Sequence, residues 1–314
     1  MEPGREVVLR TAITRDRDRF LLSILREDFS AVYPALVRYT VNVSAEDRIL
    51  ALFRTNSYEY SPLVPLRAGE VAMETARAWE AALRKDPRSF FEDHSIRELH
   101  RQQSPPADLV MIQGSPRGDG NCSILAGWVA GTAADLGRPV QVIYPHDLDI
   151  HCCIGCYQCY NTGTCVFQDD MAGIIDAIRG ASVIVICSPV YTETVPAGLK
   201  LVIDRAQAYH AERMLSGGRS GQKGITLAVA GRKGTANFLC VTRVLDAFFI
   251  NLGIIPSGEI LVDNVDAARD IRRIPGLEEK VRALVLRQLF SESAVSSRGE
   301  CPDSGPDAEL PSPI

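Results

Sequence analysis

The sequence predicts an α/β protein: a doubly wound, five-stranded parallel sheet carrying a mainly helical N-terminal extension. Two observations predict the sheet. Five short apolar runs, Leu109–Gln113, Val140–Tyr144, Ser182–Ser188, Ile225–Ala230 and Ile254–Val262, are each followed by a helical segment. Strands that alternate with helices pair in parallel through crossovers. The first run also empties into the turn Gly114-Ser115-Pro116-Arg117-Gly118-Asp119-Gly120-Asn121-Cys122-Ser123, and such a polar, glycine-rich exit makes the first strand a central one. The extension is predicted by contrast, because residues 1–105 lack this alternation.

Within the extension, Asp18–Asp28 carries Phe20, Leu21, Ile24 and Leu25, with Phe29 just beyond, at helical spacing. Ser44-Ala45-Glu46-Asp47 reads as a capped helix start before Ile49, Leu50 and Phe53. Val37–Val43 reads as a short strand. Ala68–Lys85 is a helix with Val71, Ala72, Thr75, Ala76, Trp79, Ala82 and Leu83 on one side, ended by Asp86-Pro87. No catalytic motif occurs here, so packing or oligomer contacts come before a substrate-capping role. Gln102-Gln103-Ser104-Pro105-Pro106 reads as a linker. Residues 106–290 form the sheet domain, with helices over about 123–136, 170–179, 196–210, 235–251 and 266–290. Residues 291–314, rich in Ser, Pro, Gly and acidic side chains, read as a disordered tail, and Cys301 within it has no expected role.

The bulk composition narrows the function. A net charge of −5 suggests no nucleic-acid or acidic-membrane partner. No apolar run approaches the ~20 residues of a membrane span, and Met1–Glu6 shows no apolar signal core. The expectation is a cytoplasmic protein. Nine cysteines in such a chain point to metal or redox chemistry rather than disulfides, and five of them fall between Cys152 and Cys165.

A strand, a Gly/Ser/Asn-rich turn and a helix start together make an anion site, because amides at the helix N-terminus point at the ligand. Ser115, Asn121 and Ser123 add side-chain donors and Arg117 adds a charge. The turn is neither a Walker loop nor a G-x-G-x-x-G fingerprint, and an ordinary strand-to-helix turn remains an alternative. Ser188-Pro189-Val190-Tyr191 and Ala230-Gly231-Arg232-Lys233-Gly234 end the third and fourth strands. All three loops fall on the carboxyl edge, where doubly wound sheets bind ligands. They suit a planar ring with a phosphate tail, which describes FMN.

Cys153-x2-Cys156-x2-Cys159-x5-Cys165 gathers four thiols within thirteen residues. Three continuous cysteines spaced by three favour a 4Fe–4S cluster over zinc, whose sites separate two C-x2-C pairs by a long loop. Zinc and plain thiol chemistry remain alternatives. Cys152 is an adjacent spare, and His151 flanks the run. Gly155 and Gly163 permit tight wrapping. Cys122, Cys187 and Cys240 read as buried small hydrophobes.

With these residues together, the chain resembles the iron–sulfur flavoproteins, a branch of the flavodoxin-like NAD(P)H-dependent FMN reductases. The resemblance covers about 108–290. It rests on Gly114-Ser115-Pro116-Arg117 with Gly120-Asn121, on Cys153-Ile154-Gly155-Cys156-Tyr157-Gln158-Cys159 with Gly163 and Cys165, on Asp169-Asp170-Met171, and on Ser188-Pro189-Val190-Tyr191 with Lys200 and Asp204-Arg205. It implies a flavodoxin-like fold, non-covalent FMN, a 4Fe–4S cluster on the four cysteines, and a homodimer or homotetramer. By the same resemblance Ser115, Arg117, Asn121, Cys122 and Ser123 would hold the phosphate. Pro189, Val190, Tyr191 and Thr192 would line the flavin, and the Gly231 loop would approach its ring. Cys122 departs from the family's Thr or Ser, so one hydroxyl donor is missing. No side chain need act as acid or base for transfer between the two cofactors; Tyr191 near the ring is a candidate hydrogen-bond donor to a substrate, with simple stacking as the equal alternative.

Three functions follow as expectations. The chain is an FMN and 4Fe–4S oxidoreductase that reduces a small-molecule acceptor, with NAD(P)H a candidate reductant. Alternatively it is an electron carrier served by a ferredoxin-like protein donor. In the third reading it is a flavin or quinone reductase without a cluster. The N-terminal third favours the first, as a wall for a substrate pocket.

Overall fold

The computed structural model describes residues 4–15, 18–46, 48–61, 63, 65–94, 107–216 and 221–290. The expected linker and C-terminal tail, with Cys301, lie outside these residues. Four strands open the chain, β1 (Gly4–Arg15), β2 (Asp18–Asp28), β3 (Val37–Ala45) and β4 (Arg48–Asn56), and they form an antiparallel sheet in the order β1-β2-β3-β4. Helices α1 (Ala68–Lys85) and α2 (Pro87–His94) follow.

The extension is therefore a sheet with two helices laid over it, and the expected helices at 18–28 and after Ser44 are corrected to strands. Apolar residues at 20, 21, 24 and 25 fit a helical face, but Leu22 fills the gap and changes the period. Phe20, Leu22 and Ile24 are buried in alternation, the two-residue period of a strand with one covered face. Their partners are Ile13, Val41, Val43 and Ala51 from the sheet and Ala72, Ala76, Trp79, Leu83 and Phe90 from the helices. The chain reverses after Ala45, which pairs with Arg48, so the expected cap at Ser44 is not a helix start, and Asp47 lies outside the described residues. Glu46 takes a left-handed φ of 48°, as two-residue hairpin loops require. The strand expected at Val37–Val43 and the helix Ala68–Lys85 are both present.

The second unit contains β5 (Leu109–Gln113), α3 (Asn121–Asp135), β6 (Val140–Ile143), α4 (Cys159–Thr162), α5 (Met171–Gly180), β7 (Val183–Pro189), α6 (Ala197–Arg205), α7 (Gln207–Ser216), β8 (Lys223–Val229), α8 (Leu239–Asn251), β9 (Ile255–Val262), α9 (Val265–Ala268) and α10 (Leu277–Phe290). Its five strands are all parallel, in the order β6-β5-β7-β8-β9, which is the flavodoxin-like order. β5 is interior, as its exit turn requires, and β7 stands at the middle. Alternate strand residues serve opposite faces. Leu109, Met111, Val183 and Val185 pack with Leu125, Val129 and Val281, whereas Val110, Ile112, Ile184 and Ile186 pack with Ile174, Leu199, Val202 and Phe249. The chain leaves β5 to one side and returns to β7 on the other, so the switch point lies between their carboxyl ends.

The expected helix over 196–210 divides at Ala206 into α6 and α7. The one over 266–290 divides where Gly276 takes φ 72°, a conformation a continuous helix excludes. Among the described residues no helix is long and apolar enough to cross a membrane.

Candidate functional site

The switch point is tightly built. Gly114 N–H donates to the Cys187 carbonyl at 2.8 Å, tying the end of β5 to β7. A Cβ on Gly114 would stand 2.6 Å from Leu199 Cδ2 and 3.1 Å from the Cys187 carbonyl oxygen, so glycine is required here by close packing. Gly114→Ala should cost about 2 kcal/mol, the scale of core overpacking, and should release bound FMN. Chemical denaturation and flavin fluorescence would check both.

Beyond Gly114 the turn is braced by its own side chains. Gln113 Oε1 accepts from Ser115 N–H at 2.6 Å, and Gln113 Nε2 donates to Ser123 Oγ at 2.9 Å. Ser115 Oγ accepts from Arg117 N–H, while Ser123 Oγ donates to the Arg117 carbonyl, each at 3.2 Å. The structure thus brings Ser115, Arg117 and Ser123 together, with Arg117 exposed. No side chain caps the N-terminus of α3, which leaves the helix dipole facing this turn. Asn121 Oδ1 is already engaged, accepting from Ile271 N–H at 3.3 Å. Cys122 is buried, and its carbonyl accepts from the Cys187 thiol at 3.8 Å. Burial, then the neighbouring Cys122, pushes the Cys187 thiol up, so both read as inert packing thiols. Cys240 is exposed, correcting its expected burial.

The loop after β7 is bound to the same edge, since Val190 N–H donates to the Val229 carbonyl at 2.9 Å. Tyr191 and Thr194 form a two-residue hairpin bridge around Thr192 and Glu193, whose φ values are 47° and 63°. Left-handed backbone at a β-branched threonine is strained, and such strain collects at ligand-binding loops. Tyr191 is 40% exposed beside it. Gly231 is glycine for another reason: a Cβ there would lie 2.4 Å from Asp266 Oδ2. A strained loop, an uncapped helix start and glycine contacts on one sheet edge fit a phosphate-tailed planar ligand.

The cysteines follow the edge strand β6. Gly155 and Gly163 have φ values of 65° and 74°, and Tyr157 between them has 58°, so the segment reverses repeatedly. Cys153, Cys156, Cys159 and Cys165 line one cavity of about 760 Å³. Burial comes first, then Cys156, Cys165 and Cys153, in pushing the Cys159 thiol up to about 12. Four thiolates therefore repel one another unless a cationic centre binds them, and a four-thiol donor set fits such a centre. Among the described residues no three His, Cys, Asp or Glu side chains are drawn together closely enough to hold a metal ion. Cys152 is exposed, and His151 stacks on Phe167 at 5.0 Å.

The loop is anchored by Arg205, which entered the sequence reading only within a resemblance. The residue is 2% exposed, and its guanidinium donates to the His151 carbonyl at 2.7 Å and forks onto Asp169 at 2.6 and 3.0 Å. Burial would raise the Asp169 carboxyl, but Arg205 and the amides of His151 and Met171 hold it down at about 2. A depressed carboxyl contributes stability that is present above its ordinary value of 3.8 and lost as pH falls toward 2. Asp169→Asn should lose about 2 kcal/mol at neutral pH and show a flatter acid limb between those values, read by denaturation at stepped pH.

Sequence reasoning missed the role of the N-terminal sheet, which grips α4. Asn161, 1% exposed, lies between Cys159 and Cys165. Its carbonyl accepts from Arg54 Nη1 at 3.0 Å and Arg38 Nη1 at 3.4 Å, its Oδ1 accepts from Asn56 Nδ2 at 2.8 Å, and its Nδ2 donates to Glu59 Oε1. Gln158 Nε2 donates to Glu59 Oε2 at 2.7 Å. Beside this lock Phe29, Leu36, Tyr33 and Tyr58 pack on Tyr160 and Ala211, and Tyr33 hydrogen-bonds His210. Both Tyr33 and Tyr58 line the cysteine cavity, so the first domain is a wall of that site.

Residues 107–267, half of the chain, match the family model of NADPH-dependent FMN reductases. An iron–sulfur flavoprotein of Methanocaldococcus jannaschii is 34% identical over 99 residues, covering 32% of this chain and 51% of the relative. One from Archaeoglobus fulgidus is 31% identical over 149 residues, covering 48% and 65%. The chain thus spans half to two thirds of the length of these relatives. Among solved structures, an NADH:FMN oxidoreductase in its apo form is 18% identical with a TM-score of 0.42, over 61% of this chain and 94% of its own, a likeness too slight to carry an argument.

Proposed function

Because the chain belongs to the NADPH-dependent FMN reductase family, we propose that it is an FMN- and 4Fe–4S-dependent oxidoreductase that passes electrons from a reductant to a small-molecule acceptor. The observation that carries this reading is α6. It starts three residues after the strained loop Tyr191–Thr194 and ends at Arg205 beside the cysteines. Nine helical residues span about 13 Å, so one short rigid element separates the two candidate sites. When bound, FMN exchanges electrons singly or in pairs and a cluster exchanges them singly, so the two together connect two-electron and one-electron partners.

The chain's own residues supply position and electrostatics. Ser115, Arg117 and the start of α3 would hold the phosphate, with Asn121, Cys122 and Ser123 completing the turn. Pro189, Val190, Tyr191 and Thr192 would line the flavin, Gly231 would stand at its edge, and Cys153, Cys156, Cys159 and Cys165 would ligate the cluster. NAD(P)H is the proposed reductant, in the cytoplasm. One observation favours a second reading as an electron carrier. Ile154, Val166 and Tyr157, 62%, 50% and 42% exposed, form an apolar rim around the cysteines. Such a rim suits a ferredoxin-like donor, or a second copy in a homodimer or homotetramer.

Anaerobic turnover separates the readings. Protein reduced by NADPH or dithionite should be reoxidised catalytically by a quinone, at a rate that saturates with quinone. Electron exchange with a ferredoxin alone, as reduction by its reduced form or reoxidation by its oxidised form, with no saturable small-molecule rate, would favour the carrier.

A further inference from the structure

We infer that Arg205 is a positioning residue for the cysteine site: it pins the two ends of the cysteine loop to each other and places a buried positive charge that raises the reduction potential of the cluster held there. The inference rests on the cluster reading above.

Three observations converge. The first is burial. The side chains of Arg205 and Asp169 are each 1% exposed, and a fully desolvated charge pair is retained at a site that uses it more readily than for stability alone. The second is reach. The guanidinium bonds the His151 carbonyl, two residues before Cys153, and both oxygens of Asp169, four residues after Cys165. It is thereby a clasp across the whole cysteine run. Phe167 lies under its carbon at 5.2 Å and stacks on His151, closing the same clasp from the apolar side. The third is the donor left over. Arg205 Nε is buried without a hydrogen-bond partner, on a side chain that lines both cavities flanking Cys165. A buried donor without a partner is costly, and a metal-bound thiolate at Cys165 is an acceptor that would satisfy it.

Adding an electron makes a cluster more negative, so a nearby buried cation favours the reduced form and raises its potential. The sequence carries no other hint of this, since a lone Asp-Arg pair at a helix end is an ordinary helix terminus.

The test uses the full chain, purified anaerobically, with iron, sulfide and FMN counted before anything else. Two variants are compared with the wild type: Arg205→Lys, which keeps charge but loses the fork and the Nε donor, and Arg205→Gln, which removes the charge, leaves Asp169 in place and can still hydrogen-bond. The cluster's midpoint potential is measured by dye-mediated titration followed by EPR. In Arg205→Gln the reduced-to-oxidised ratio at a fixed potential should fall at least tenfold, which is 59 mV for one electron, with FMN content unchanged. Arg205→Lys should fall by less. Unchanged potentials in variants with full iron would overturn the inference. Should Arg205→Gln lose its iron, Arg205→Lys decides: a lowered potential supports the inference and an unchanged one overturns it. Iron absent from the wild type would instead remove the cluster reading, and Arg205's role with it.

Discussion

Cys156→Ala is expected to lose its iron completely while keeping FMN. Cys156 is the middle thiol of the continuous run, half-buried in the cavity it shares with Cys153, Cys159 and Cys165. A cubane of about four irons needs four thiolates from a compact run, and Cys152 is exposed and does not line that cavity. The turn proposed for the flavin phosphate is held by different contacts, through Gln113, Ser115 and Ser123 on β5 and α3. The two sites should therefore separate in one variant: iron and sulfide at background, FMN at wild-type stoichiometry. Full retention of iron would remove Cys156 from the ligand set. Loss of both cofactors would show that the sites are not independently held.

The second large effect is expected at the domain junction. Asn161→Ala should destabilise the protein by roughly 3 kcal/mol, because it removes a neutral side-chain hydrogen bond from Asn56 Nδ2 and a charged one to Glu59 Oε1 in a buried setting, worth about 1 and about 2 kcal/mol respectively, although those two atoms still bond each other. Its backbone carbonyl still accepts from Arg54 and Arg38, so α4 should loosen rather than detach. Asn161→Asp keeps the size but places a second carboxylate against Glu59, and should cost at least as much. Both variants should lose iron faster than wild type on dilution, since Cys159 begins α4. Thermal denaturation and a timed iron assay read the two consequences separately. A stability within 0.5 kcal/mol of wild type, the range of ordinary surface substitutions, would contradict the lock.

The sheet domain was legible because its signals are local and repeated. Each apolar run is long enough to cross a buried parallel sheet, and each is closed by Gly, Pro or Asp-Asn, so the five strands and the interior place of β5 followed from pattern alone. The N-terminal sheet was not, because its information lies in pairing. Phe20, Leu21, Ile24 and Leu25 satisfy a helical face as well as a strand's, and only partners at Ile13 and Val41–Val43 decide between them. The cysteine spacing named the candidate ligands. It could not show that Asn161, in the middle of that spacing, is the grip for a domain more than a hundred residues earlier in the chain. Arg205 was hidden for the same reason, its partners being 36 and 54 residues away. What a sequence withholds here is long-range polar contact, since neither periodicity nor composition encodes it.

The most direct test of two linked redox sites is a cofactor count on protein purified without oxygen, with its absorption spectrum. One FMN and about four irons with matching acid-labile sulfide are expected per chain, seen as flavin bands over a broad iron–sulfur shoulder. Flavin alone, with zinc or no metal on the cysteines, would contradict it and leave a plain flavin reductase whose cysteine run is structural.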